Sequence, residues 1–182
     1  MKFYLTIIFL ILSANILSAQ SKSPKKTVAV IDTTKITLVT ESPVKSLSQA
    51  EYDQYQKGDP MGLTKPAELN NYPAPSRILA LQTQLKITPD QKSKLIAAQD
   101  ALDFKAKEMG KFIIQNEKRL NDLFVTGKIN EGSLIYYTNQ FGLYQGELRN
   151  AHLQAHLKTR RILTPDQLKK FGRLREMQTK AE

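Results

Sequence analysis

Beyond Ser76, apolar residues recur at helical spacing almost to the end of the chain, and breaks in that recurrence divide it into four helices. Ile78, Leu81 and Leu85, interrupted by polar Gln82, mark a helix of about two to three turns. From Pro89 to about Val125, Leu95, Leu102, Met109, Asn116 and Leu123 recur every seven residues, with Ala106, Ile113 and Leu120 as the companion row. At 1.5 Å per residue that seam runs roughly 55 Å. Thr126 to Asn130 reads as a turn, with Gly127 suited to the position after a helix end and Asn130 able to cap the next helix. The third helix, about Glu131 to Arg161, carries Leu134, Phe141, Leu148 and Ala155 beside Tyr137, Tyr144 and Ala151. A short turn between matched periods predicts an antiparallel hairpin. The last helix places Leu168, Phe171, Leu174 and Met177 on one side. Gly110, Gly142, Gly146 and Gly172 each cost a helix up to about 1 kcal/mol relative to Ala, and signify close helix contacts or bending.

Two helix starts share one phrase: Ile87-Thr88-Pro89-Asp90-Gln91 and Leu163-Thr164-Pro165-Asp166-Gln167. Thr caps the first turn, Pro suits N1, Asp meets the positive end of the helix dipole, and Gln at N3 closes a capping box. One copy would say only that a helix begins, with a contribution of about 1 kcal/mol.

Ahead of Ser76 the pattern changes. Residues 1–19 read as a secretory signal peptide: basic Lys2, an apolar run from Phe3 to Leu12, and a small residue, Ala19, before Gln20. The apolar run falls short of the ~20 residues of a membrane span, so no transmembrane anchor is expected after cleavage. Residues 20–58 read as a flexible leader. Its runs Val28–Ile31 and Ile36–Val39 can pair as a small hairpin, which alone is marginal in water, and Ser48 with Glu51 forms a capping-box pattern for a short helix ending near Lys57. Residues 59–75, with three prolines in the stretch from Pro66 to Pro75, read as an extended connector to a helical domain over 76–180. The expected fold is all-α: a long antiparallel helical hairpin with short flanking helices, preceded by the leader.

Charge and cysteine usage then narrow the function. The formal net charge is +10, and beyond Ser76 there are 19 Lys plus Arg against 11 Asp plus Glu. Such a basic chain ordinarily suggests nucleic acid, but export argues against that partner and favours acidic polypeptides or anionic surfaces. There is no Cys for a disulfide, a lipid anchor or a thiolate metal site. No phosphate loop, nucleophile elbow or HExxH motif is present, and Asp100 with Asp103 reads as a solvated charged face, so the chain is not expected to be an enzyme.

Two candidate sites remain. His152 and His156, the only histidines, lie four apart on one helix face; they either contribute to a divalent-metal site completed from elsewhere or pack at a helix interface. Lys105, Lys111, Phe112, Arg119, Tyr137, Phe141 and Arg149 either belong with the core seam or form a basic, partly apolar surface that holds non-native chains.

The signal peptide, the helical mature region and the two LTxxQ-like phrases carried by Ile87, Thr88, Gln91, Leu163, Thr164 and Gln167 together resemble the Spy/CpxP family of periplasmic proteins and the related heavy-metal-resistance sensors. The likeness covers residues 76 to 180, with Ile87 in place of the motif's first Leu, and extends loosely to the Met61–Asn70 segment. It implies a periplasmic, ATP-independent chaperone or envelope-stress protein that binds unfolded or misfolded envelope proteins as a cradle-like homodimer without a cofactor. The alternative it implies is a metal-binding sensor or resistance protein, with His152 and His156 as ligands.

Overall fold

The computed structural model describes residues 41–179, and these fold as six α-helices with no strand among them. The residues read as a signal peptide and both β-prone runs lie outside the described residues. Helices α1 (Gln49–Lys57), α2 (Lys65–Leu69) and α3 (Pro75–Ala80) precede the two long helices α4 (Pro89–Val125) and α5 (Glu131–Ile162), and α6 (Pro165–Thr179) follows. Among the described residues no helix is long and apolar enough to cross a membrane.

The long pair forms the expected antiparallel hairpin. Side chain to backbone bonds join Gln91 to Ile162 at one level and Asn116 to Tyr137 at another, which is one constant register along oppositely running helices. The turn between them uses Gly127 at φ 65°, and Asn130 caps α5 by accepting from the Ser133 amide at 2.9 Å. Leu95, Leu102, Ala106, Met109, Ile113 and Asn116 of the seam are buried, and so are Leu148 and Ala155 opposite them.

Three further pieces cover this hairpin near its open end. The Ser48 capping box is closed, with the Ser48 amide donating to Glu51 at 2.9 Å, and these bonds hold the Glu51 carboxyl below its ordinary pKa. Helix α1 packs on α4, and Val44, Leu47 and Tyr55 join the main core. The leader's end is therefore part of the folded body, not a flexible tail. Gly110 makes that crossing close: a Cβ there would stand 1.8 Å from the Tyr55 carbonyl oxygen. This is the role of one helical glycine; Gly142 and Gly146 face open space. From the other side, Gln145 of α5 donates to the Tyr55 hydroxyl at 2.6 Å, while burial pushes that phenol's pKa up.

The segment expected to be extended, 59–75, contains α2, which starts with Pro66 in its first turn. The helix expected through Leu85 ends at Ala80. Residues 81–86 instead form successive turns, with Lys86 in the left-handed region at φ 51°, which buries Leu85 and turns the carbonyls of Leu85 and Lys86 toward α6. Ile78, Leu85, Leu95, Leu163 and Phe171 make a second apolar cluster there.

The two repeated phrases meet beside this cluster. Gln91 Nε2 donates to Gln167 Oε1 at 2.8 Å, and the reverse pairing, Gln167 Nε2 to Gln91 Oε1, measures 2.9 Å. The two primary amides therefore pair reciprocally, each giving one N–H to the other's oxygen and keeping a second N–H and a second lone pair for other partners. Each also closes its own capping box by accepting from the Thr88 or Thr164 amide. Each then reaches the backbone leading into the other phrase: Gln91 the Ile162 carbonyl at 2.9 Å, Gln167 the Leu85 carbonyl at 3.3 Å. Replacing Gln167 with Ala removes one cap and leaves half-buried partners unpaired, for an expected loss of about 1–3 kcal/mol in chemical denaturation. Gly110→Ala is expected to lower the denaturation midpoint at least as much, because the added methyl has no room beneath Tyr55.

Candidate functional site

Burial is uneven along the hairpin. From Glu117 to Glu147 no residue is buried, although this stretch holds a substantial part of each long helix. Two helices alone share a single seam, and α1 and α3 reach only the other half, so large apolar side chains near the turn stay in water. Phe124 is 56% exposed, Val125 75%, Ile135 61%, and Leu134, Tyr136 and Leu143 are exposed too. Leu134, which the heptad places in the seam, is one of them: among the described residues no third layer covers the turn end.

Between the helices lies an open groove of about 510 Å³, walled by Phe112, Asn116 and Arg119 on α4 and by Tyr136, Tyr137 and Tyr144 on α5. Its rings pack on one another, with Phe112 and Tyr144 centroids 5.3 Å apart and Tyr136 edge-on to Tyr137 at 5.1 Å. Such pairs contribute about 0.5–1.5 kcal/mol beyond burial and keep the walls in shape. Lys118 is paired with Asp122 at 3.0 Å, an exposed contact of little energetic weight, whereas Arg119 has no carboxylate partner among the described residues. The groove is thus aromatic, half-open and cationic at the rim.

The structure brings together three of the seven surface residues expected from sequence: Phe112, Arg119 and Tyr137. Lys111 lines a separate groove with Tyr52, Gln56 and Ile114 beside α1. Lys105 is paired with Glu108 at 2.9 Å and borders a small alanine-lined cleft. Phe141 packs against the main core, and Arg149 is exposed outside both grooves. Of the exposed apolar residues near the turn, Val125, Ile135 and Leu143 were missed. Their signal was available: each is a large apolar side chain off the heptad rows, where a solvated face calls for a polar one.

The histidines stand elsewhere. His152 and His156 are 7% and 3% exposed, on the flank of α5 beneath the segment joining α1 to α3. Nε2 of His152 donates to the Gly58 carbonyl at 2.8 Å, and Nδ1 of His156 to the Tyr72 carbonyl at 2.6 Å. Burial, the largest cause, lowers the His152 pKa; its bond to Gly58 and the nearby Asp59 and Asp103 act against that, while His156 adds to it. Each ring thus bonds backbone of the overlying segment through one of its nitrogens. Among the described residues no group of three or more His, Cys, Asp or Glu stands together to hold a metal ion.

Comparison of the chain with protein-family models, characterised proteins and solved structures gave no match. The resemblance to the Spy/CpxP family therefore rests on the paired phrases and the layout of the chain, and the functional reading rests on the surface itself.

Because the apolar residues near the turn contact little, they should contribute little to the fold. Phe124→Gln and Ile135→Gln are expected to change the unfolding free energy by no more than about 0.5 kcal/mol, measured by urea denaturation.

Proposed function

We propose that this chain is an exported, ATP-independent chaperone-like protein of the cell envelope, in the periplasm, that holds non-native polypeptides on the turn half of its helical hairpin. The observation that carries this reading is the set of large apolar side chains exposed on the turn half of the hairpin, which also holds an aromatic groove with a cationic rim. An apolar patch of this kind on a helical surface is a binding surface or an aggregation hazard. Basic neighbours favour the first outcome, because net charge keeps the chain soluble and speeds encounter with acidic segments.

The chemistry suits a loose and reversible grip. Covering apolar surface yields about 25 cal/mol per Å², so several shallow contacts give useful affinity while each can be released alone. No directional polar constellation among the described residues selects one sequence. A cradle-like homodimer, which the family resemblance implies, would present two such surfaces at once and raise their effective concentration.

The test is aggregation of a chemically denatured client diluted into buffer with the purified mature protein, followed by light scattering. Suppression near equimolar ratio is expected, weaker at high salt as long-range attraction is screened. The triple variant Phe124→Gln, Ile135→Gln, Leu143→Gln should keep its fold and lose most of the suppression. No suppression by the unmodified protein at several-fold molar excess would end this reading.

A further inference from the structure

We propose that His152 and His156 latch the segment between α1 and α3 against the hairpin, and that acid releases the latch at His152. The two imidazoles are one helical turn apart on α5, and they catch the segment near its two ends, at the carbonyls of Gly58 and Tyr72. The backbone of α5 has spent its own groups on the helix, so side chains must supply the donors these carbonyls need. In the chain between, α2 is only five residues long. The docked course also carries local strain, since Met61 adopts a left-handed conformation at φ 45° that a residue with a Cβ disfavours. Contacts from outside the segment hold it in that form.

Three other contacts share the load and none of them titrates near neutrality. Arg160 donates to the Asn71 carbonyl at 3.0 Å, its guanidinium lies 4.5 Å from the centre of the Tyr72 ring, and Arg175 donates to the Glu68 carbonyl. An imidazole is the side chain whose charge can change between pH 5 and 8, and the one at the Gly58 end is His152. His152 is faced by Asp59 from the segment and Asp103 from α4, which favour its charged form, and by His156 from its own helix, which opposes it. Burial outweighs the two carboxylates and the Gly58 bond, so the docked state prefers the neutral ring. A group whose pKa is lower docked than released contributes stability in full above its released value of about 6.5. That contribution drains away as pH falls from there toward the docked value. Acid therefore favours release.

Release has a defined structural consequence. Gly58 is pressed so closely to α4 that a Cβ would stand 2.6 Å from the Ala106 carbonyl carbon. Withdrawing Gly58 frees the C-terminal end of α1 and uncovers the apolar surface around Ala106 and Met109. The docking equilibrium stands apart from client binding; added holding capacity in acid is the part that rests on the chaperone reading.

Amide hydrogen exchange of the full mature chain at pH 7.5 and pH 5.5, corrected for intrinsic rates, reads the latch directly. Segment 58–72 should open up to about tenfold more for each pH unit below the released pKa, relative to amides in the middle of α4. His152→Gln, which keeps an N–H donor and cannot titrate, should remove most of that pH response. Equal protection of the segment at both pH values, or an unchanged response in His152→Gln, would overturn the proposal. Should that variant fail to fold, the proton NMR titration of the unmodified protein decides. The His152 ring and the Gly58–Tyr72 amides must then shift together, and separate midpoints would sink the latch.

Discussion

The structure depends first on the shared amide pair of Gln91 and Gln167. Each side chain caps its own helix and bonds the backbone that enters the other helix, so the starts of α4 and α6 and the end of α5 are fixed to one another by a single polar knot. The knot sits beside the cluster of Ile78, Leu85, Leu95, Leu163 and Phe171, which limits the water available to replace a lost partner. Its near-symmetry accounts for the repetition in the chain. Two glutamines can act on each other this way only if both stand at the third position of a helix whose preceding loop passes the other, and a similar phrase at both places is a direct way to arrange that.

Fixing the hairpin at one end determines what happens at the other. The seam is well packed where α1 and α3 lie over it and loosens beyond Asn116, whose amide donates to the Tyr137 carbonyl at 3.0 Å. Beyond that level two helices must satisfy themselves, and a pair has too little mutual surface to cover Phe124, Ile135 or Leu143. The exposed apolar surface is thus a geometric outcome of making α4 and α5 longer than the layer that covers them. Length beyond the cover is also what a holding surface requires, because the same side chains are free to meet another chain.

Much of this was legible in the sequence, and the rest was hidden for physical reasons. Periodicity located both long helices, and the capping residues Ser48, Thr88 and Asn130 marked real helix starts, because those signals act within a few residues. The same local signals missed α2 and carried α3 too far. Leu85 is buried as an apolar stripe demands, but it gets there through turns whose carbonyls are taken by Gln167, a residue 82 positions away. Gly110 was visible as an anomaly, yet its reason, the Tyr55 carbonyl lying on it, needs the tertiary crossing. The histidines show the limit most clearly. Their spacing alone does not reveal the two backbone carbonyls they bond, which only the path of the chain from Gly58 to Tyr72 brings to them.

Glutamine and histidine side chains both hold backbone carbonyls in this protein, and the difference between them has mechanical meaning. Glutamine amides keep their donors and acceptors at any pH the cell meets, so the knot at the helix starts is indifferent to acid. The His152 imidazole presents the same N–H to a carbonyl but can take up a charge that its buried position opposes. Had the segment between α1 and α3 been held by amides, its docking would be as constant as the hairpin itself. Holding its Gly58 end with His152 couples the docking of one layer to proton concentration, whereas the glutamine knot does not titrate. A permanent scaffold with a conditional cover is the arrangement these two choices of side chain produce.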